Sequence, residues 1–205
     1  MDVEARPLLE HNIRQKLDEG DLKEAIRLVV EGYGPEIFGY LVRTMSNDDD
    51  ASEVFSQFCE AVCRGLGSFQ GRSSCRTWVY CVATRARARL FKDPYRRRTR
   101  RLETDEISKL AQDVRSRTLT YLRGEVKDRF AKLREQLDAE ERTLLMLRVD
   151  QQMSWPQIAE VLCESDESLL EVEVASRAAK WRQRFKRLKD KIHKLAAQEG
   201  IFENL

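Results

Sequence analysis

Histidine is scarce in this 205-residue chain, with His11 and His193 the two copies. The five cysteines, Cys59, Cys63, Cys75, Cys81 and Cys163, are scattered and form no C-x-x-C pair. A structural zinc site, which gathers four such ligands at short spacings, is therefore not expected. The odd count also makes a poor disulfide framework, so the thiols read as free and buried in a reducing cytoplasm. Nine glycines and four prolines are too few for a β-sandwich, which spends both on turns. Apolar runs are short, Leu28 to Val30 and Leu144 to Leu147 among them, far from the ~20 residues of a membrane span. The start, Met1-Asp2-Val3-Glu4, is acidic and lacks the apolar stretch of a secretory signal. There is no glycine-rich phosphate loop and no H-E-x-x-H, and neither histidine has a nucleophile near it in sequence. No enzyme, cofactor or metal is expected.

Charge is what the chain has. The net value of +2 conceals a segregation. From Arg72 to Arg101 there are eleven Lys/Arg and one acid, Asp93; from Arg177 to Lys194 there are nine Lys/Arg and one acid, Asp190. The remainder holds 17 basic and 33 acidic residues. Two strongly basic stretches in a near-neutral chain suit contact with a polyanion at two places. The acidic remainder would repel DNA elsewhere or meet a basic protein partner.

The apolar spacing is helical throughout. Leu8, Leu9, Asn12, Ile13 and Leu17 open an amphipathic helix that Gly20 can end. Asp21, with Glu24 three residues on, has capping-box spacing. Gly32-Tyr33-Gly34-Pro35 reads as a break, with Pro35 starting a further helix. Val54, Phe55, Phe58, Ala61, Val62 and Leu66 mark the next helix, and Gly67 to Gly71 a loop. Ser74 caps a helix with Cys75, Trp78, Val79, Val82, Ala83 and Ala86 on one face, and Asp93-Pro94 should stop it. Residues 102–130 are highly charged but keep an apolar beat, so they read as a helical linker. Beyond them, Asp138 to Glu141 and Ser154 to Gln157 are two capping boxes. The last helix, from about Val174 to Ala197, carries an apolar stripe of Ala178, Trp181, Phe185, Leu188, Ile192 and Leu195. Arg177, Lys180, Arg184, Arg187, Lys191 and Lys194 run beside it, about 100° round the helix.

The expected fold is all-α: two small helical domains, residues 1–101 and 131–205, joined by a helical linker over 102–130. The second has the order of a helix-turn-helix reader, whose basic last helix would enter the major groove. There Ser176, Arg177, Lys180, Arg184 and Arg187 would contact bases and phosphates. In the first domain Phe69, Trp78 and Tyr80 lie among Arg72, Arg76, Arg85 and Arg89. Rings beside arginines suit single-stranded DNA, which stacks on the former and follows the latter. Trp78 falls on the apolar face and reads as core; Tyr80, off that face, reads equally as core or as a base platform.

Several motifs then converge. Asp18-Glu19-Gly20-Asp21 and Tyr33-Gly34-Pro35-Glu36-Ile37-Phe38-Gly39-Tyr40 match an opening G-D and Y-x-P-x-(L/I)-x-x-Y. Phe69-Gln70-Gly71-Arg72-Ser73-Ser74-Cys75-Arg76-Thr77-Trp78-Val79-Tyr80 matches F-x-G-x-x-x-F-R-T-W-L-Y. Leu137 to Leu162 matches L-x-x-x-x-R-x-(L/V)-x-x-L-R followed by S-x-x-(E/Q)-I-A-E-x-L. Over residues 15–100 and 131–195 the chain resembles a bacterial RNA polymerase sigma factor of the extracytoplasmic-function (ECF) type. The resemblance implies a region 2 bundle, a region 4 helix-turn-helix, core RNA polymerase and promoter DNA as partners, and a cytoplasmic location. It implies minus-ten contacts from Phe69, Arg72, Arg76, Tyr80, Arg85 and Arg89, with the minus-35 contacts falling to the last helix. It implies polymerase contacts from Asp49, Asp50, Glu53, Gln57 and Phe58, and it admits an anti-sigma factor as a further partner. Three departures stand out. Arg85 and Arg89 occupy places where the family often has Asn and Asp, and Ser52, Phe55 and Ser56 replace acids of the polymerase-binding helix. A longer acidic connection, Glu164 to Glu173, replaces the family's tight turn. The residues alone also fit a stand-alone helix-turn-helix regulator.

Overall fold

The computed structural model describes residues 5–45, 47–92, 105–124, 136–163 and 171–198. Among them every regular element is a helix, in the all-α manner expected. The chain divides into two compact units, Met1–Gly124 and Glu125–Leu205.

In the first unit, α1 spans Arg6–Asp18 and ends at Gly20, whose φ of 76° is one that glycine adopts without strain. Asp21 caps α2 by accepting the Glu24 N–H at 3.2 Å. Helix α2 then runs unbroken over Leu22–Thr44, through the expected break. Pro35 withholds an N–H from the Glu31 carbonyl, which ordinarily ends or kinks a helix. Here burial outweighs that cost: Val29, Val30, Tyr33, Ile37, Phe38 and Leu41 are all enclosed along α2. The two glycines taken as punctuation are close-approach points instead. A Cβ on Gly32 would collide with Leu9 of α1, and one on Gly34 would lie 3.1 Å from a Val114 methyl.

Asn47 caps α3, Asp48–Gly65, accepting the Asp49 N–H at 2.8 Å, and Asp48, Asp49 and Asp50 complement the dipole of its first turn. Phe38, Phe55 and Phe58 pack ring on ring between α2 and α3, with centroids 5.2 and 5.6 Å apart. A 3-10 turn, Leu66–Ser68, leads into the loop before α4, Cys75–Lys92. Helix α5, Asp105–Gly124, buries Ile107, Ala111, Val114 and Thr118 and packs on α2 and α3. Arg115 of α5 donates to the Ser56 hydroxyl of α3 at 2.6 Å. The described part of the expected linker thus belongs to the first unit, which extends past residue 101. Its apolar beat serves one flank of α2 rather than a connection in solvent. Asp93-Pro94 and the arginine cluster of 96–101 lie outside the described residues.

In the second unit both expected capping boxes form: Asp138 with Glu141, opening α6 (Ala139–Leu145), and Ser154 with Gln157, opening α7 (Trp155–Val161). Helix α6 widens into a π-type segment, Met146–Asp150. The turn beyond it passes through Gln152 at a φ of 54°, unusual for a side-chain-bearing residue. It is held from both sides. Met153 donates its N–H to the Leu147 carbonyl at 3.0 Å, and its own carbonyl accepts from Arg148 at 2.7 Å. Helix α8, Glu171–Gln198, closes the unit, burying its Ala178 and Leu188 together with Leu144, Leu147, Ile158 and Ala159 of the preceding helices.

Candidate nucleic-acid interface

Two basic surfaces are built, one in each unit. In the first, the start of α4 is fixed by a carboxylate that the sequence reading missed. Glu10, on α1, accepts the N–H groups of Cys75 and Arg76 at 2.9 Å each, and the Tyr33 hydroxyl donates to it at 2.6 Å. Two orphan donors of the first turn are so satisfied, by an acid at the positive end of the helix dipole. Ser74 takes a third, accepting the Thr77 N–H at 3.0 Å. No local pattern announces Glu10, because the α4 amides it accepts lie over sixty residues away and Tyr33 lies 23 away.

One turn on, Glu36 gathers a second network. Arg76 donates to it through Nε at 2.8 Å and also through Nη2, and the Tyr80 hydroxyl donates at 2.9 Å. Tyr80 is 0% exposed, lies edge-on to Tyr40 with centroids 5.3 Å apart, and has the Arg76 guanidinium over its ring; Arg76 is 8% exposed. Burial, and then the neighbouring Glu36 carboxylate, push the Tyr80 phenol well above its ordinary pKa. Burial and Glu10 do the same for Tyr33, and burial raises the Cys75 thiol. These groups stay protonated, and the hydroxyls serve as donors. Two expected DNA-contact residues, Arg76 and Tyr80, are therefore interior members of the scaffold. The R-T-W segment is enclosed on more sides than its single apolar stripe suggests.

What faces outward is different. Arg72 and Arg89 are exposed, and Phe69, Trp78 and Arg85 are half-buried. Phe69 packs at a tilt on Trp78, with centroids 5.5 Å apart. The loop borders a cleft of about 230 Å³ against α1, with Arg14 and Asp18 on one wall and Phe69 and Gln70 on the other. Gly71, at φ 66°, lies under the Arg14 guanidinium, so a Cβ there would sit 3.1 Å from it. On α3, Asp49 is exposed, and Asp50, Glu53 and Gln57 are half-buried, with Gln57 donating to Glu53 at 2.9 Å. Phe58, expected at that surface, is wholly enclosed in the ring cluster.

The second surface is α8. Ser176, Lys180, Arg184 and Arg187 are exposed, and Arg177 is half-buried, donating to the Cys163 sulfur at 3.3 Å. Arg184 pairs with Glu140 at 2.5 Å and Lys191 with Glu141 at 2.6 Å, both acids belonging to α6. An open groove of about 720 Å³ lies between α6 and this flank of α8. Trp155 of α7 sits edge-on to Phe185 with centroids 5.5 Å apart, under the Arg148 guanidinium. Among the described residues no group of His, Cys, Asp or Glu could hold a metal ion, and no helix is long and apolar enough to cross a membrane.

An all-α chain with a carboxylate-braced basic helix in one unit and a basic helix-turn-helix in the other has the parts of a DNA-binding transcription protein. The family description Sigma-70 region 2 matches residues 29–101. The chain is 32% identical over 146 residues to the RNA polymerase sigma factor YlaC of Bacillus subtilis, covering 68% of this chain and 80% of that one. It is 29% identical over 157 residues to the RNA polymerase sigma-H factor of Pseudomonas aeruginosa, covering 72% and 79%. Against the ECF RNA polymerase sigma-E factor of Haemophilus influenzae it is 33% identical over 79 residues, 38% of this chain and 41% of that one. No solved structure matches. The chain belongs to the RNA polymerase sigma factors, as a divergent member of the ECF type.

Proposed function

We propose that the chain binds core RNA polymerase, opens a promoter by capturing its melted strand with the first unit, and reads an upstream duplex element with the second. The observation that carries this is the coincidence of the Sigma-70 region 2 match with the basic α4 and its braced loop. Phe69, Arg72, Arg85 and Arg89 supply a ring and cations to an unstacked strand, while Arg76 and Tyr80 hold their helix in place. Asp49, Asp50, Glu53 and Gln57 form the acidic docking face of α3 for a basic surface of the polymerase. Ser176, Arg177, Lys180 and Arg187 of α8 form the minus-35 reader, while Arg184, expected among them, is engaged by Glu140. No bond is made or broken by the chain; it works by binding, in the cytoplasm, and an anti-sigma factor would act by covering one of these faces.

The test is gel filtration of the purified chain with core polymerase, followed by transcription from a promoter library. Co-elution and promoter-dependent transcripts are expected. Clean separation at moderate salt, with core enzyme from the native organism, overturns the reading. Duplex binding by the chain without polymerase would then favour a stand-alone regulator.

A further inference from the structure

We infer that α8 grips the phosphate backbone of duplex DNA with Arg182, Lys186 and Lys189, and that the opposite cationic flank is partly committed to the protein itself. The inference rests on the second unit being the duplex-binding half of the proposed function, and it names which cations that half uses. On a helix of 100° per residue, steps of four and three place these three side chains on one face, roughly 90° from the apolar stripe. Arg184 and Lys191 lie on the other side of that stripe. All three residues of the new face are exposed.

The two flanks differ in what surrounds them. Glu140 and Glu141 of α6 sit 2.5 and 2.6 Å from Arg184 and Lys191, and the Arg184 guanidinium also lies 5.6 Å from the Trp181 ring centroid. A phosphate approaching there must displace a carboxylate that is already paired and repels it. On the other face, Arg182 and Lys186 have no ion-pair partner among the described residues, even though Asp190 is one turn from Lys186. The Lys189 ammonium lies 6.0 Å from the Phe185 ring centroid, at the outer limit of a cation–π contact, and Lys189 stays exposed with no carboxylate against it among the described residues. A row of unpaired cations with no carboxylate held against it fits a polyanion, and displaced counterions supply the binding free energy. The pairing of Arg184 and Lys191 is invisible to a sequence reading, which counts nine cations on this stretch and cannot see which are neutralised.

The experiment is a salt titration of binding to a fluorescein-labelled duplex, followed by anisotropy, on the full chain alone and again with core polymerase. Three proteins are compared: the unaltered chain, Arg182→Gln/Lys186→Gln/Lys189→Gln, and Arg184→Gln/Lys191→Gln. Circular dichroism establishes that both variants keep their helix content. The slope of log K against log salt is expected to flatten by about 2.5 in the triple variant and by less than about 1 in the double variant. An unchanged slope in the triple variant, or a larger loss in the double variant, overturns the assignment. Loss of polymerase co-elution in the triple variant with its DNA slope intact also overturns it, and would mark the face as an acidic-protein contact. If the unaltered chain fails to co-elute with polymerase, the proposed function fails, while the slopes of the chain alone still decide this assignment.

Discussion

Replacing Glu10 tests the brace at the start of α4. Its carboxylate accepts two backbone N–H groups and one phenol, at 2.9, 2.9 and 2.6 Å. Hydrogen bonds to a charged acceptor contribute about 1.5–3 kcal/mol each, less when three share one group. Truncation in Glu10→Ala also leaves the Tyr33 hydroxyl enclosed without its acceptor, since Tyr33 is fully buried. The first unit should lose about 3–4 kcal/mol, a fall of roughly 10 °C in its melting midpoint. Glu10→Gln keeps the reach but removes the charge and turns an NH2 towards donors, so a loss of about 1–2 kcal/mol is expected. Because the chain has two units, a single global transition is the wrong readout. Residue-resolved hydrogen exchange is the right one. The Cys75 and Arg76 amides should lose protection in both variants, while amides of α7 keep theirs. Unchanged exchange at those two amides would refute the reasoning, because Glu10 is the acceptor that closes the first turn from outside the helix.

Three further outcomes follow from the same geometry. Arg76→Ala leaves the buried Glu36 carboxylate with the Tyr80 hydroxyl and the more distant Arg6, 3.9 Å away, and should destabilise the first unit by about 2–3 kcal/mol, whereas the exposed Arg72→Ala should stay within about 0.5 kcal/mol; paired urea titrations compare them. Burial alone raises the Glu160 carboxyl above its ordinary pKa, so the folded state binds more protons than the unfolded one between those two values. Stability of the second unit therefore falls as pH rises through that window. Glu160→Gln should melt higher than the unaltered chain at pH 7 and lose that advantage below the ordinary carboxylate range; an advantage that persists in acid refutes the cause. Burial pushes the Cys59 and Cys75 thiols well up, so neither should react with a disulfide reagent at pH 8 until urea unfolds the first unit, as peptide mapping would show.

The features legible in the sequence are those whose partners are near in the chain. Asp21, Asp138 and Ser154 cap the helices they were expected to cap, because each cap joins residues only two or three apart. Charge segregation was legible for the same reason: it is a property of composition along a segment. Failures occur where the deciding partner is distant. Gly32 and Gly34 carry the local signature of a break, but their small size is used by Leu9 and Val114, which the sequence places elsewhere. The helix of 105–124 has linker composition, yet its stripe is completed by α2. Tyr80 falls off the apolar stripe of α4 because its hydroxyl needs a polar partner, and that partner, Glu36, is supplied by α2 inside the core. A polar residue off the stripe is thus exposed only if no distant carboxylate reaches it. The same logic governs α8, where Arg184 and Arg182 flank one apolar stripe on opposite sides and Glu140 reaches the first. Whether a basic side chain belongs to the DNA or to the protein is decided by the acids that folding brings beside it, and for Arg76 and Arg184 those acids are Glu36 and Glu140.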